Sequence, residues 1–335
     1  MSEFANAAML RVLLRGMGAL GLTPPDVQPG VHAQIELRDK RALLESAIRQ
    51  GGLSCLPRLG VGLHGDVDDP THRALTAARD GRDLIDRWRR LERYVHSVHR
   101  TEWSTDPAGR VLMRHRGVRA GITPSPAESL VVLGVVAALL ESIGLREVVA
   151  SIDGEPVYPD PREASLQAFA ATGRTSAWML QWSGPATTVG ASAPTGPSCG
   201  SLGAREPLRA PTNLCDALPW PEPAHQIARR NLADPMSTLT LAGAAHEIGI
   251  AARTLQRTLS NAGLSWTAVL GEARVRAASW WLLESRCSIA EIGFVSGYAD
   301  QAHFTRDFGR RIGVPPGRYR SDFGPARPGT AAPSG

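Results

Sequence analysis

The sequence predicts two domains: an N-terminal α+β (or α/β) domain, then a C-terminal all-α domain with two helix-turn-helix units joined by a long linker helix. Three observations carry this reading. The chain has 335 residues, enough for two domains of roughly 100–200 residues each. The stretch from Ser183 to Leu202, SGPATTVGASAPTGPSCGSL, is too poor in large apolar side chains to join a core and reads as loop or linker. Residues 241–259 and 289–308 repeat one pattern at an offset of 48.

Composition narrows the function classes. Hydrophobic residues make up 43% and charged residues 21%, as in a globular protein rather than a disordered one. The net charge of +5 is compatible with a polyanionic partner. Of the 37 basic residues only Lys40 is a lysine, so arginine richness by itself says little about nucleic acid. The cysteines, Cys55, Cys199, Cys215 and Cys287, are far apart, with no CxxC and no histidine at zinc spacing. They suit a reducing compartment and give no metal signal, so no cofactor is expected. The N-terminus lacks the pattern of a secretory signal. The longest apolar run, Leu130 to Leu140, is too short to span a bilayer and reads as a buried helix. These points place the protein in the cytoplasm, away from membranes.

The N-terminal elements follow in order. Residues 4–20 read as a helix with a broad apolar face. Residues 72–98 read as a charged helix with a break near Gly81 and a core stripe at Leu84, Ile85, Trp88, Leu91 and Val95. Arg110 to Val118 alternates as a strand does. Ser125 to Ile143 is a helix opened by a capping box, Ser125 with Glu128. Glu147 to Ile152 is a strand. The boundaries are 1–203 for this domain, 204–222 for a Pro-rich linker or domain end, 223–323 for the tandem helix-turn-helix domain, and 324–335 for a disordered tail.

The repeat carries a specific local grammar. Leu241, Ala244, Ala245 and Gly249 match Ile289, Ile292, Gly293 and Gly297. With one residue added in the second turn, Leu255, Arg257 and Leu259 match Phe304, Arg306 and Phe308. Each copy has a short helix with a tiny residue at its middle, a glycine turn, and a second helix whose apolar residues face inward. Ser288 and Glu291 form a capping box, and Asp300 can cap its helix, whereas Ala251 cannot. The run Thr267 to Glu284 contains no proline. Its eighteen residues give a rod of roughly 27 Å, able to hold two recognition helices about one turn of B-DNA apart. From Pro223 to Phe323 twelve arginines stand against eight acids.

This segment resembles the AraC/XylS family of transcription regulators. The resemblance rests on GIAARTLQRTLSNAGLSWTAVL and on SIAEIGFVSGYADQAHFTRDFGRRIGVPPGRYR, and covers about 100 residues. The chain departs from the family at Ala251 and at Pro315, which precedes Pro316 where the family has a Ser-Pro pair. The resemblance implies base-facing Arg253, Gln256 and Arg257 on the first recognition helix. On the second it implies Gln301, Ala302, Thr305 and Arg306, with His303 nearby. Arginine can bond guanine, and glutamine adenine, in bidentate fashion. Arg310, Arg311, Arg318 and Arg320 are expected on phosphates, which position without specifying sequence. More loosely, LGVGLHGD and RRLERYVHS in the N-terminal part resemble the arabinose-binding-type ligand domain of one branch of this family. The partners implied are double-stranded DNA at a promoter or operator, a small-molecule effector, a second copy of the chain, and RNA polymerase if the protein is an activator. The alternatives are a ligand-independent regulator whose N-terminal domain only dimerises, and an enzyme domain fused to a DNA-binding tail.

Gly60 to Gly65 matches GxGxxG, but Pro57 interrupts the approach and DVDDPTH follows, so a turn is expected rather than a nucleotide site. His96 and His99, at i and i+3 of the expected helix, have no third metal ligand nearby and read as ordinary histidines. Trp280 and Trp281 read as packing residues, and His303 as a plain contact rather than a pH sensor. No G-x-S-x-G, S-x-x-K or paired-acid motif is present, so no catalytic residue is expected.

Overall fold

The computed structural model describes residues 4–27, 34–107, 109–184, 210–235 and 239–324. The chain divides into two compact units, Met1–Val67 with Thr71–Gly190, and Asp68–Pro70 with Ala191–Gly335. Most of the Gly/Ser/Pro stretch after Gly184 and the tail after Gly324 lie outside the described residues. Among the described residues no helix is long and apolar enough to cross a membrane.

The N-terminal unit mixes helices with a sheet. Strand β1 (Phe4–Asn6) leads into α1 (Ala7–Ala19) and pairs antiparallel with β2 (Gln34–Glu36). Then come α2 (Leu37–Gly51), a 3₁₀ helix (Leu53–Gly65), α3 (Pro70–Thr76) and α4 (Gly81–Val95). The rest is β3 (His99–Thr105), β4 (Val111–Gly117), α5 (Pro126–Ser142), β5 (Arg146–Ile152), β6 (Glu155–Tyr158), α6 (Glu163–Ala171) and β7 (Ala177–Ser183). The main sheet runs β3-β4-β7-β5-β6, every neighbouring pair antiparallel.

Helix α5 centres this unit. Its capping box is formed: Glu128 N–H donates to Ser125 Oγ at 3.2 Å, and Ser125 N–H donates to Glu128 Oε2 at 2.8 Å. Every residue from Glu128 to Leu140 is buried, so α5 shows an apolar surface all round rather than a stripe.

The expected turn at Gly60–Gly65 is corrected: the 3₁₀ helix runs straight through it. Its glycines serve close packing. A Cβ on Gly62 would lie 2.0 Å from the Val12 carbonyl oxygen in α1. On the other side, a Cβ on Gly134 in α5 would lie 1.9 Å from the Pro57 oxygen. Only glycine lets these backbones touch. The break expected near Gly81 is present: it separates α3 from α4, which Asp80 caps by accepting from Asp83 N–H at 2.9 Å. Two further expectations shift. Residues 4–6 are strand rather than helix. His96 and His99 do not share a helix, because α4 ends at Val95 and His99 opens β3.

The C-terminal unit is helical: α7 (Glu222–Ala233), α8 (Leu241–Ile248), α9 (Ala252–Asn261), α10 (Trp266–Glu284), α11 (Ile289–Val295), α12 (Gln301–Ile312) and α13 (Pro316–Phe323). Helix α10 buries residues around its whole circumference, Arg276 and Ser279 among them. Against it stands a ladder of rings: Tyr298, Phe304, Phe308, Tyr319 and Phe323, with successive centroids 5.0–5.6 Å apart. Trp281 is buried and meets Trp280 edge-on at 5.2 Å. Residues 210–221, within the stretch expected as linker or domain end, include Leu214 and Cys215, both fully enclosed.

Candidate nucleic-acid interface

Two helix pairs, α8–α9 and α11–α12, present the residues that the sequence singles out. In the first, Thr240 Oγ1 caps α8 by accepting from Gly243 N–H at 3.0 Å. Gly249 ends α8 at φ 79°, the left-handed turn that favours glycine. Leu255 and Leu259 anchor α9 inward, while Arg253, Gln256 and Arg257 are exposed. Ala251 stands at the N-cap with no side-chain bond.

The second pair is better fastened. Ser288 and Glu291 form a capping box on α11, and Asp300 caps α12 by accepting from His303 N–H at 2.7 Å. The small residue at 293 has a plain reason: a Cβ there would meet the Phe304 ring at 3.1 Å. Phe304 and Phe308 point into the core. Gln301, Ala302, His303 and Arg306 are exposed, and Thr305 is half-buried.

Charge divides these arginines into two groups. Among the described residues Arg253, Arg257 and Arg306 make no ion pair, so their guanidiniums are available to an incoming anion. Arg310 is bonded to Asp307, and Arg318 to Asp322 at 3.4 Å; both remain near half exposed or more. Arg320 is half-buried. Arg311 corrects an expectation: its side chain is only 7% exposed, so it is no phosphate contact. Its Nε donates to both Asp307 oxygens at 3.1 Å, and its Nη1 lies 3.7 Å from Glu272. Burial works against the Asp307 charge, yet Arg310 and Arg311 hold that carboxyl below the usual range. Burial and the Asp307 charge push the Tyr298 phenol up, and its hydroxyl donates to Asp307 at 3.1 Å. Sequence reasoning missed Glu272, Arg276, Tyr298 and Asp307, because a repeat reveals shared positions, whereas Tyr298 and Asp307 belong to one copy and Glu272 and Arg276 to the helix between the copies.

The N-terminal unit holds a buried polar cluster. His99 and His115, almost fully enclosed, have ring centroids 5.2 Å apart, and His96 lies 5.4 Å from His99. His115 Nδ1 is 3.2 Å from Ser129 Oγ. Glu92 accepts from Thr101 N–H at 2.8 Å and from its hydroxyl at 2.9 Å. Lys40 is 2% exposed. Burial drives His96 down to about 2 and His115 well below its ordinary value, and it raises Glu92 to about 7. Among the described residues no group of three or more His, Cys, Asp or Glu is arranged to hold a metal. The Cys55 thiol is pushed up to about 11 by burial and by Glu163, the opposite of an activated nucleophile.

The helix-turn-helix domain family matches residues 244–322. The segment is 32% identical over 97 residues to the transcriptional activator NphR of Rhodococcus sp., covering 29% of this chain and 28% of that protein. It is 33% identical over 95 residues to the ornithine utilization regulator of Pseudomonas aeruginosa, covering 28% of each. The chain thus spans less than a third of the length of either relative. The crystal structure of the transcriptional regulator CdpR from Pseudomonas aeruginosa aligns over 93% of this chain and 97% of its own, at 15% identity and a TM-score of 0.32, too low to bear on the fold. Residues 244–322 are thus a helix-turn-helix domain, similar in sequence to the matching segments of two transcription regulators.

Proposed function

We propose that the chain is a sequence-specific DNA-binding transcription regulator. In this reading α8–α9 and α11–α12 are two helix-turn-helix units, with α9 and α12 as recognition helices and α10 holding them about one helical turn of DNA apart. The observation that carries it is the exposed, uncompensated set Arg253, Arg257 and Arg306, set on helices whose opposite faces are locked into the core. With Gln256, Gln301, Ala302, His303 and Thr305 they form the base-facing surface. Arg310, Arg318 and Arg320 meet phosphates. The names of the relatives supply the transcriptional side of the proposal.

The N-terminal unit, taken as residues 1–203, is the control domain: it binds a small-molecule effector and pairs two copies of the chain. The buried polar cluster supports this. A core that only had to be stable would fill such positions with aliphatic side chains, because buried charges cost more to desolvate than they return. An effector acts only if it binds two arrangements of the protein with different affinity. RNA polymerase is the further partner if regulation is by activation, and the cytoplasm is the compartment.

Selection of duplexes from a randomised pool by the full chain tests the proposal. A preferred site should emerge, bound with an affinity that falls steeply with salt. Arg306→Ala should weaken that binding by about 1–3 kcal/mol and relax preference at one base pair. A folded protein that enriches no sequence rejects the reading.

A further inference from the structure

The second helix pair is tied to α10 by an ionic chain, whereas the ion pair of the first pair, Arg230 with Glu247 at 3.4 Å, runs to α7. Asp307 on α12 is bound through both oxygens by Arg311 Nε at 3.1 Å. Arg311 reaches Glu272 on α10 at 3.7 Å. Glu272 accepts from Arg276 Nε at 2.8 Å, and Arg276 Nη1 donates to the Leu214 carbonyl oxygen at 2.8 Å. Leu214 lies in residues 210–221, the segment that leads into α7. The chain of contacts thus runs unbroken from that lead-in segment, across α10, to α12.

Three features show that it is built rather than incidental. Arg276 is 1% exposed, Arg311 and Asp307 have side chains 7% and 10% exposed, and Glu272 between them is 23% exposed, so bulk water screens the links less than it would at an open surface. Gly271 makes room, because a Cβ there would sit 2.1 Å from Arg311 Nη2. The repeat supplies an internal control. At the register pairing Arg257 with Arg306, the positions of Asp307, Arg310 and Arg311 are occupied by Thr258 and Asn261 of α9 and by Ala262 just past its end. Helix α9 therefore has no counterpart of this tether.

We propose that Arg276 is a positioning residue: through Glu272, Arg311 and Asp307 it makes the lead-in segment set the angle of α12, by a route that α9 does not share. The proposal rests on the reading that α12 contacts bases. Movement of the lead-in segment then changes what one half of the DNA site contributes, and the two halves respond unequally to regulation.

The test uses the full chain and the best duplex it selects from a randomised pool. The half read by α12 is identified as the one where base substitution ceases to matter in Arg306→Ala; the half read by α9 is found likewise with Arg253→Ala. Arg276→Met and Glu272→Gln are then compared with wild type on duplexes substituted in one half or the other. Discrimination at the α12 half should fall at least tenfold in each variant, with the α9 half unchanged. Arg276→Lys, which keeps the bond to Glu272, should recover part of the loss. Equal losses in both halves, or none, overturn the proposal. If Arg276→Met does not fold, Glu272→Gln, at a partly exposed position, decides the matter alone. A wild-type chain that selects no sequence fails the functional reading itself, an outcome distinct from variants that keep full selectivity.

Discussion

Gly134 and Pro57 pack backbone to backbone, so that the Pro57 carbonyl oxygen occupies the place where a side chain on residue 134 would begin. Gly134→Ala is therefore expected to overpack the N-terminal core and destabilise it by about 1–3 kcal/mol or more. Gly18→Ala is the control: Gly18 lies exposed in α1 with nothing within 4 Å of a Cβ, and alanine there should stabilise by roughly 0.5–1 kcal/mol. Urea unfolding of the two variants beside wild type checks the opposite signs.

The buried cluster predicts how stability depends on pH. His96 and His115 are held neutral in the fold, against 6.5 for a free imidazole, so their contribution is complete above pH 6.5 and is lost on acidification. Glu92 runs the other way. Its carboxyl is raised from 4.5 to about 7, so its contribution is complete below pH 4.5 and is lost as pH rises through 7. Between pH 6.5 and 5 two imidazoles oppose one carboxyl, each worth about 1.4 kcal/mol per pH unit. Stability should therefore fall on acidification by an amount of that order per unit. His115→Asn should leave the curve nearly flat, and Glu92→Gln should steepen it. Thermal melts across that range decide, and an unchanged slope in His115→Asn would contradict the burial of a neutral ring.

The missing cap offers a gain. Ala251 is exposed, with φ −68° and ψ 143°, the extended conformation that an N-cap needs. Ala251→Ser should supply the acceptor that Thr240 and Asp300 already provide on α8 and α12. An increase of about 1 kcal/mol in unfolding free energy is expected. A denaturation midpoint at or below that of wild type would show that the first turn of α9 is satisfied in some other way.

What was legible in the sequence was local. The Ser125–Glu128 and Ser288–Glu291 boxes, the Asp300 cap and the turns at Gly249 and Gly297 need only a few neighbouring residues, and each stands where it was read. What escaped depends on distant partners. The meaning of Gly62 and Gly134 lies in the backbones of α1 and the 3₁₀ helix, which no period along the chain reveals. Strand β7 takes its place between β4 and β5 only through pairing across the sheet. Arg311 reads as a phosphate contact and Arg276 as one more arginine of the segment, because nothing in their own segments marks them as enclosed. His96 and His99 looked like helix neighbours because the charged periodicity continues past the point where α4 stops.

The burial of α10 on every side has a consequence for how the C-terminal unit comes apart. A helix lying on one flank of a bundle can peel away while the remainder survives. Helix α10 cannot, since Val269, Ala273, Ala277 and Leu282 are enclosed by elements drawn from before and after it in the chain. Losing α7 or the helices that follow α10 would wet the same apolar residues. Helix α10 is therefore expected to unfold together with them and to hold the slowest-exchanging amide protons of the unit, which hydrogen exchange would check.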